Sequence, residues 1–168
     1  MSFSILPNRA VLMGFAAVLG ISSPALAVTV TGSFTVKINI NAECRVVSSE
    51  EHNFEGRGII DQNIDTQSAI KVQCTSGTPY SVGLGLGIGA GATLAARKMT
   101  GPGNATINYN LYRDAAFTEV WGTTAATDTL SGTGNGVEQS IPVYGRVPAQ
   151  STSATGAYSD TVAVAVTY

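Results

Sequence analysis

Residues 28–40 alternate between apolar and polar side chains almost without interruption. Val28, Val30, Gly32, Phe34, Val36, Ile38 and Ile40 hold the even positions; Thr29, Thr31, Ser33, Thr35, Lys37 and Asn39 hold the odd ones. Side chains of an extended strand point alternately to its two faces, so the pattern predicts a ribbon with one apolar and one polar edge. A lone strand is not stable in water: it needs a sheet for its backbone hydrogen bonds and a groove for its apolar side chains. The same period of two recurs downstream. Cys44 and Val46 share one face of a short strand over 43–48. Ile70, Val72 and Cys74 alternate with Lys71 and Gln73, and Tyr80, Val82, Leu84, Leu86 and Ile88 form an inward face after a turn at 76–79. Further strand signals fall at 94–99, 107–112, 117–121, 141–144 and 162–168, with Pro142 predicting an edge position or a bulge. Residues 49–66 read as a polar surface connection, and 131–136 and 151–157 as glycine-rich loops. About nine short strands with turn signals between them, and no helical periodicity or internal repeat, predict an all-β antiparallel sandwich.

The first 27 residues follow a different rule. Arg9 precedes an apolar run from Ala10 to Ile21, and Ala25-Leu26-Ala27 offers a small-x-small cleavage site, the pattern of a removable secretion signal. The run is about 12 residues, too short to span a bilayer core of roughly 30 Å. What remains, 141 of the 168 residues, suits one domain whose two ends are both expected to be working sheet elements. The ribbon opens it, and the last strand runs to Tyr168. Losing Arg9 turns the formal net charge of −2 into −3. With basic residues scattered singly apart from Arg97-Lys98, nucleic acid is not an expected partner. Cys44 and Cys74 are the only cysteines, and an oxidising compartment would join them. Closing that loop should stabilise the fold by roughly 3–4 kcal/mol.

Candidate chemistry is sparse. Gly83, Gly85, Gly87, Gly89 and Gly91 fall on alternate positions but never in GxGxxG spacing before a helix, so they predict a bare strand face that another group approaches closely. His52, the only histidine, reads as a solvated loop residue beside Glu50 and Glu51. No GxSxG elbow and no CxxC pair is present, and Asn104-Ala105-Thr106 is a sequon match too short to carry weight. No catalytic residue, cofactor or metal site is expected, and the chain is not read as an enzyme.

Several islands, taken in order, resemble the spore coat U domain family, which includes pilin subunits of archaic chaperone–usher pili in Gram-negative bacteria. They are Val72-Gln73-Cys74-Thr75-Ser76-Gly77-Thr78-Pro79-Tyr80, Arg97-Lys98-Met99, Tyr109-Asn110-Leu111-Tyr112-Arg113-Asp114 and Trp121-Gly122. Pro142-Val143-Tyr144-Gly145-Arg146-Val147-Pro148-Ala149-Gln150 and Gly156-Ala157-Tyr158-Ser159-Asp160-Thr161-Val162 complete the set. Residues 49–66 depart from the pattern, with Phe54-Glu55-Gly56 standing where a Leu-x-Phe-Gly type strand is expected.

The resemblance implies an incomplete immunoglobulin-like antiparallel β-sandwich over residues 41–168 that lacks its final strand, with residues 28–40 as an N-terminal donor strand. A periplasmic chaperone lends a strand in transit, and at the outer-membrane usher the ribbon of the next copy or a related pilin replaces it. Val30, Phe34, Val36, Ile38 and Ile40 would be the donor side chains, and Val162, Val164, Val166 and Tyr168 would border the acceptor groove. The implied function is that of a structural subunit of a surface fimbrium, exported through the periplasm and supporting adhesion and biofilm formation. Two alternatives stay open: an adhesive minor subunit, and a spore coat or extracellular matrix protein whose ribbon completes its own sandwich.

Overall fold

A computed structural model describes residues 24–151 and 154–168; the apolar core of the expected secretion signal lies outside the described residues. The chain divides into two compact units, one ending at Ile38 and the other spanning Asn39–Tyr168. In the described part of the first unit no strand forms. Val28, Val30, Phe34, Val36 and Ile38 there are each more than four-fifths exposed.

The second unit is an antiparallel sandwich with eight strands among the described residues. They are β1 (Cys44–Ser49), β2 (Ile64–Cys74), β3 (Pro79–Leu84), β4 (Arg97–Thr100), β5 (Thr106–Tyr112), β6 (Leu130–Thr133), β7 (Glu138–Val147) and β8 (Val164–Thr167). One sheet runs β1-β2-β7-β5-β4 and the other β6-β3-β8. The longest pairing aligns β2 with β7, from Ile64 opposite Val147 to Gln73 opposite Glu138. That register points Ile70, Val72 and Cys74 of β2 and Ile141, Val143 and Val147 of β7 to the same inner face, where all are buried. Ile107, Tyr109 and Leu111 extend this face along β5, and Tyr80, Val82 and Leu84 answer it from β3. Trp121 is wholly buried between them and donates its indole N–H to the Val82 carbonyl at 2.8 Å. The Cys44–Cys74 disulfide forms as expected, with Cα atoms 4.1 Å apart, and fastens the first residue of β1 to the last of β2.

Contrary to the expected edge strand or bulge, Pro142 lies in β7, an inner strand in regular register with β2, and is tolerated because β5 pairs with β7 only at Tyr144, Gly145 and Arg146. Close approach at the alternating glycines is real. A Cβ on Gly89 would collide with the Lys98 carbonyl, and Gly87, at φ +87, sits against the Asp160 carboxylate.

Elsewhere the structure corrects the sequence reading. The expected inward face of 80–88 stops at Leu84, the last β3 residue paired with β8; Gly87 turns the chain, and Leu86 and Ile88 are exposed. Residues 117–121 form no strand. Phe117 is left-handed at φ +57 in a loop held by the Asp114 carboxylate, which accepts from the backbone N–H groups of Thr118 and Glu119. The supposed loop at 131–136 contains most of β6, and the signal at 94–99 resolves into β4 starting at Arg97. Residues 49–66 are not a simple surface connection: Ile60 is buried, Phe54 packs on the core, and His52 is half-buried rather than solvated.

Candidate functional site

β1 forms one edge of the five-stranded sheet and β8 one edge of the three-stranded sheet. They lie beside each other across the sandwich without pairing. A cavity of about 780 Å³ lies over the inner face of the large sheet, touching Ser49 at the end of β1 and Val164 at the start of β8. Protein interiors are packed like organic crystals, and a single large apolar side chain removed from a core leaves only about 150 Å³. The opening is therefore several side chains deep.

The inner face of the large sheet supplies the floor: Ile64 and Ile70 from β2, Val143 and Val147 from β7, Ile107, Tyr109 and Leu111 from β5, and Met99 from β4. One wall is the segment from Ser49 to Gly58. The opposite wall is the segment from Ala154 to Val162, continued by Val164. On β8 the alternation is as read from sequence. Val164 and Val166 turn half-buried toward the core while Ala165 and Thr167 are exposed. Val162, just before the strand, packs inward as well, whereas Tyr168 follows the strand's end and is 59% exposed. β8 pairs with β3 on one side only, which leaves its other backbone edge free to take a further strand. Across the gap Val46 of β1 is 42% exposed, because β1 is itself an edge strand with a register shift between Val46 and Ser48. Of the five ribbon side chains singled out in the sequence, only Ile40 falls in the same compact unit as the groove, and it is 70% exposed.

Polar groups hold the ends of the groove in place. Arg97 of β4 is wholly buried and binds no carboxylate. Its guanidinium donates to the carbonyls of Gly85 (2.8 Å), Leu84 (3.0 Å) and Trp121 (2.6 Å) and to the Asn110 side-chain oxygen. It thereby ties the edge of the large sheet to the end of β3 in the small one. Burial pulls this guanidinium below its ordinary pKa, and the fields of Tyr109, Asp160 and Asp128 oppose that shift. Tyr109 donates its hydroxyl to Asp160 at 2.7 Å, and burial with that bond raises its pKa strongly. Asp160 also accepts from the Ile88 N–H, so the groove wall at 158–162 is tied to β5 of the large sheet and to the loop that follows β3.

The floor residues and Arg97 were not singled out from the sequence as site residues. For the floor, the signal was present in the alternation of β2, β5 and β7. Arg97 stood in the Arg97-Lys98-Met99 island of the family resemblance, but a cation surrounded by neutral carbonyls leaves no local pattern that tells its role. The groove holds one hydroxyl–imidazole contact, His52 Nδ1 to Ser68 Oγ at 2.7 Å, and no cluster of metal-ligating side chains occurs among the described residues.

Comparison with known proteins agrees with this geometry. Residues 30–165 match the Spore Coat Protein U domain. Protein U of Myxococcus xanthus is 30% identical over 160 residues, covering 87% of this chain and 89% of that protein. Among solved structures, similarity extends to a chain in the crystal structure of the CsuC-CsuE chaperone-tip adhesion subunit pre-assembly complex from archaic chaperone-usher Csu pili of Acinetobacter baumannii. The TM-score there is 0.57 at 21% identity, over 77% of this chain but only 40% of that one. The fold is thus an immunoglobulin-like sandwich of the kind found in pilus subunits. With the domain match running over most of its length, the chain belongs to the spore coat protein U domain family.

Proposed function

We propose that the protein is a structural subunit of a chaperone–usher pilus, polymerised by donor-strand exchange. One observation carries this reading: an apolar-edged ribbon stands exposed over residues 28–40, while a sandwich in the same chain lies open along the free edge of β8. In the proposed joint, Val30, Phe34, Val36, Ile38 and Ile40 of one copy enter the groove of the next. There they pack beside Val162, Val164 and Val166, with Tyr168 at the rim. Added backbone hydrogen bonds along β8 give affinity, and the alternate side chains give specificity. Burying five such side chains at about 1.5–3 kcal/mol each contributes roughly 7–15 kcal/mol before ordering costs, enough for a long-lived joint. A ribbon-to-groove contact is heterologous and does not close on itself, so repetition yields a filament.

On this reading a periplasmic chaperone shields the groove before assembly, and an outer-membrane usher is the place of exchange. The finished fimbrium then supports adhesion and biofilm formation. The test is deletion of residues 28–38 in the secreted protein. Unboiled gels of the wild type should show a ladder of multimers that collapses on boiling, and the deletion should run as a monomer. A ladder that survives the deletion would refute the proposal. A wild type that is monomeric without any helper would instead favour a self-complete coat or matrix protein.

A further inference from the structure

One wall of the groove is a segment held mainly by side chains. Past β1, residues 50–58 run as a strap along one wall, with His52 and Phe54 turned inward and Glu51, Asn53 and Glu55 exposed. The last backbone ladder bond is that of the Glu50 N–H to the Ala69 carbonyl. Side chains seat the strap beyond that point. His52 Nδ1 lies 2.7 Å from Ser68 Oγ and Nε2 lies 2.8 Å from Thr66 Oγ1, two hydroxyls on the inner face of β2. The ring presses on Gly145 of β7 so closely that a Cβ there would collide with Nε2. Phe54 packs against His52 with the rings tilted by 59° and centroids 5.1 Å apart, and meets the Tyr109 ring edge-on at 6.2 Å over the groove floor.

We propose that His52 and Phe54 form a latch that fills one end of the groove until a strand enters, and that its release sets the rate of entry. This deepens the strand-complementation reading and rests on it. Phe54 takes up apolar space that an incoming side chain would need. Because the strap is held chiefly through one imidazole, the latch is sensitive to acid. In the neutral ring one nitrogen donates and the other accepts; a proton added to this half-buried ring loses hydration and gains no carboxylate. The groups around it bear this out. Thr66 and Ser68 of β2 do not titrate, and Gly145 of β7 has no side chain. Asp65 and Arg146, next to them on the two strands, are bonded to each other at 2.6 Å. Tyr109, beyond Phe54, gives its hydroxyl to Asp160, and Glu50 and Glu51 on the strap itself are exposed. Burial accordingly holds the pKa of His52 below its ordinary value.

The experiment follows uptake of a fluorescent peptide of residues 28–40 by the full secreted chain. It is run at about pH 7.5 and about pH 5.5, on either side of the ordinary histidine pKa. Wild type should take up the peptide on the order of tenfold faster in acid, because about one pH unit below the ordinary histidine pKa the released ring takes up a proton that the buried ring resists. His52→Ala should be fast at both values and lose the pH dependence, and Phe54→Ala should be fast at the higher one. Uptake that neither pH nor substitution alters would overturn the latch while leaving strand complementation standing. Absence of uptake by every form at both values would overturn the complementation reading, and the latch with it.

Discussion

Replacing Arg97 by methionine tests whether a buried cation holds the two sheets together. The guanidinium makes four hydrogen bonds, three of them to backbone carbonyls of Leu84, Gly85 and Trp121 that have been withdrawn from water. Removing the charge relieves a desolvation cost of several kcal/mol, which offsets much of what the four charge-assisted bonds contribute. It does not relieve the carbonyls, each of which costs about 1–3 kcal/mol if left buried and unpaired. The net loss should be about 3–5 kcal/mol, a large part of a typical domain's stability of roughly 5–15 kcal/mol. With a urea dependence of about 2 kcal/mol per molar, the unfolding midpoint should fall by about 2 M. Arg97→Lys keeps the charge but loses the planar fork, so it should recover only part of the loss. The assay is urea unfolding followed by fluorescence of Trp121, whose indole lies wholly buried beside this network. A midpoint for Arg97→Met within about 0.5 M of wild type would show that water or repacking satisfies the carbonyls, and the sheet-pinning argument would fail.

Phe34→Ala should weaken each proposed joint by about 2–3 kcal/mol, so multimers should dissociate roughly 30- to 150-fold faster on warming; ladders with unchanged heat resistance would count against burial of this ring. Reducing the Cys44–Cys74 bond, which spans a sequence separation of 30, should lower stability by about 3–4 kcal/mol. Urea unfolding with and without reductant checks it. Asp65 is held below its ordinary pKa chiefly by its hydrogen bond to Arg146. A depressed carboxylate pKa stabilises the fold above the unfolded value and loses that contribution as pH falls through the folded one. Wild-type stability should therefore decline below about pH 4, and the decline should be shallower in Asp65→Asn, as read from urea midpoints across an acid series.

Where apolar side chains repeat every second residue and are covered on one face, the sequence alone located the strand. Ile70, Val72 and Cys74, and likewise Tyr80, Val82 and Leu84, were placed on their correct faces because burial and periodicity coincide there. β6 escaped notice because its two inward positions are Leu130 and Gly132. The second must be bare, since a Cβ on Gly132 would strike the Tyr80 ring. Only the partner strand explains that. Phe117 misled in the opposite direction: aromatic content suggested a strand, yet its ring lies edge-on to Tyr112 and Tyr144 with the Arg146 guanidinium 4.0 Å above it, an arrangement a left-handed residue makes possible. The inward seat of His52 did leave a trace. Thr66 and Ser68 are in phase with Ile64 and Ile70, so two hydroxyls had to face the interior and needed a polar partner. That β1 and β8 end up as edge strands is a property of sheet order, on which no single segment's pattern bears.

The disulfide also fixes where tension would travel. Any pull on the ribbon at Ile40 reaches Cys44 within a few residues, and there the load passes through sulfur to Cys74 at the end of β2. β1, an edge strand with neighbours on one side only, is thereby spared from being peeled open like a zip. Force is delivered instead to β2, flanked on both sides and loaded along its length, so a fibre built from such units would stretch at its joints before its beads unravelled.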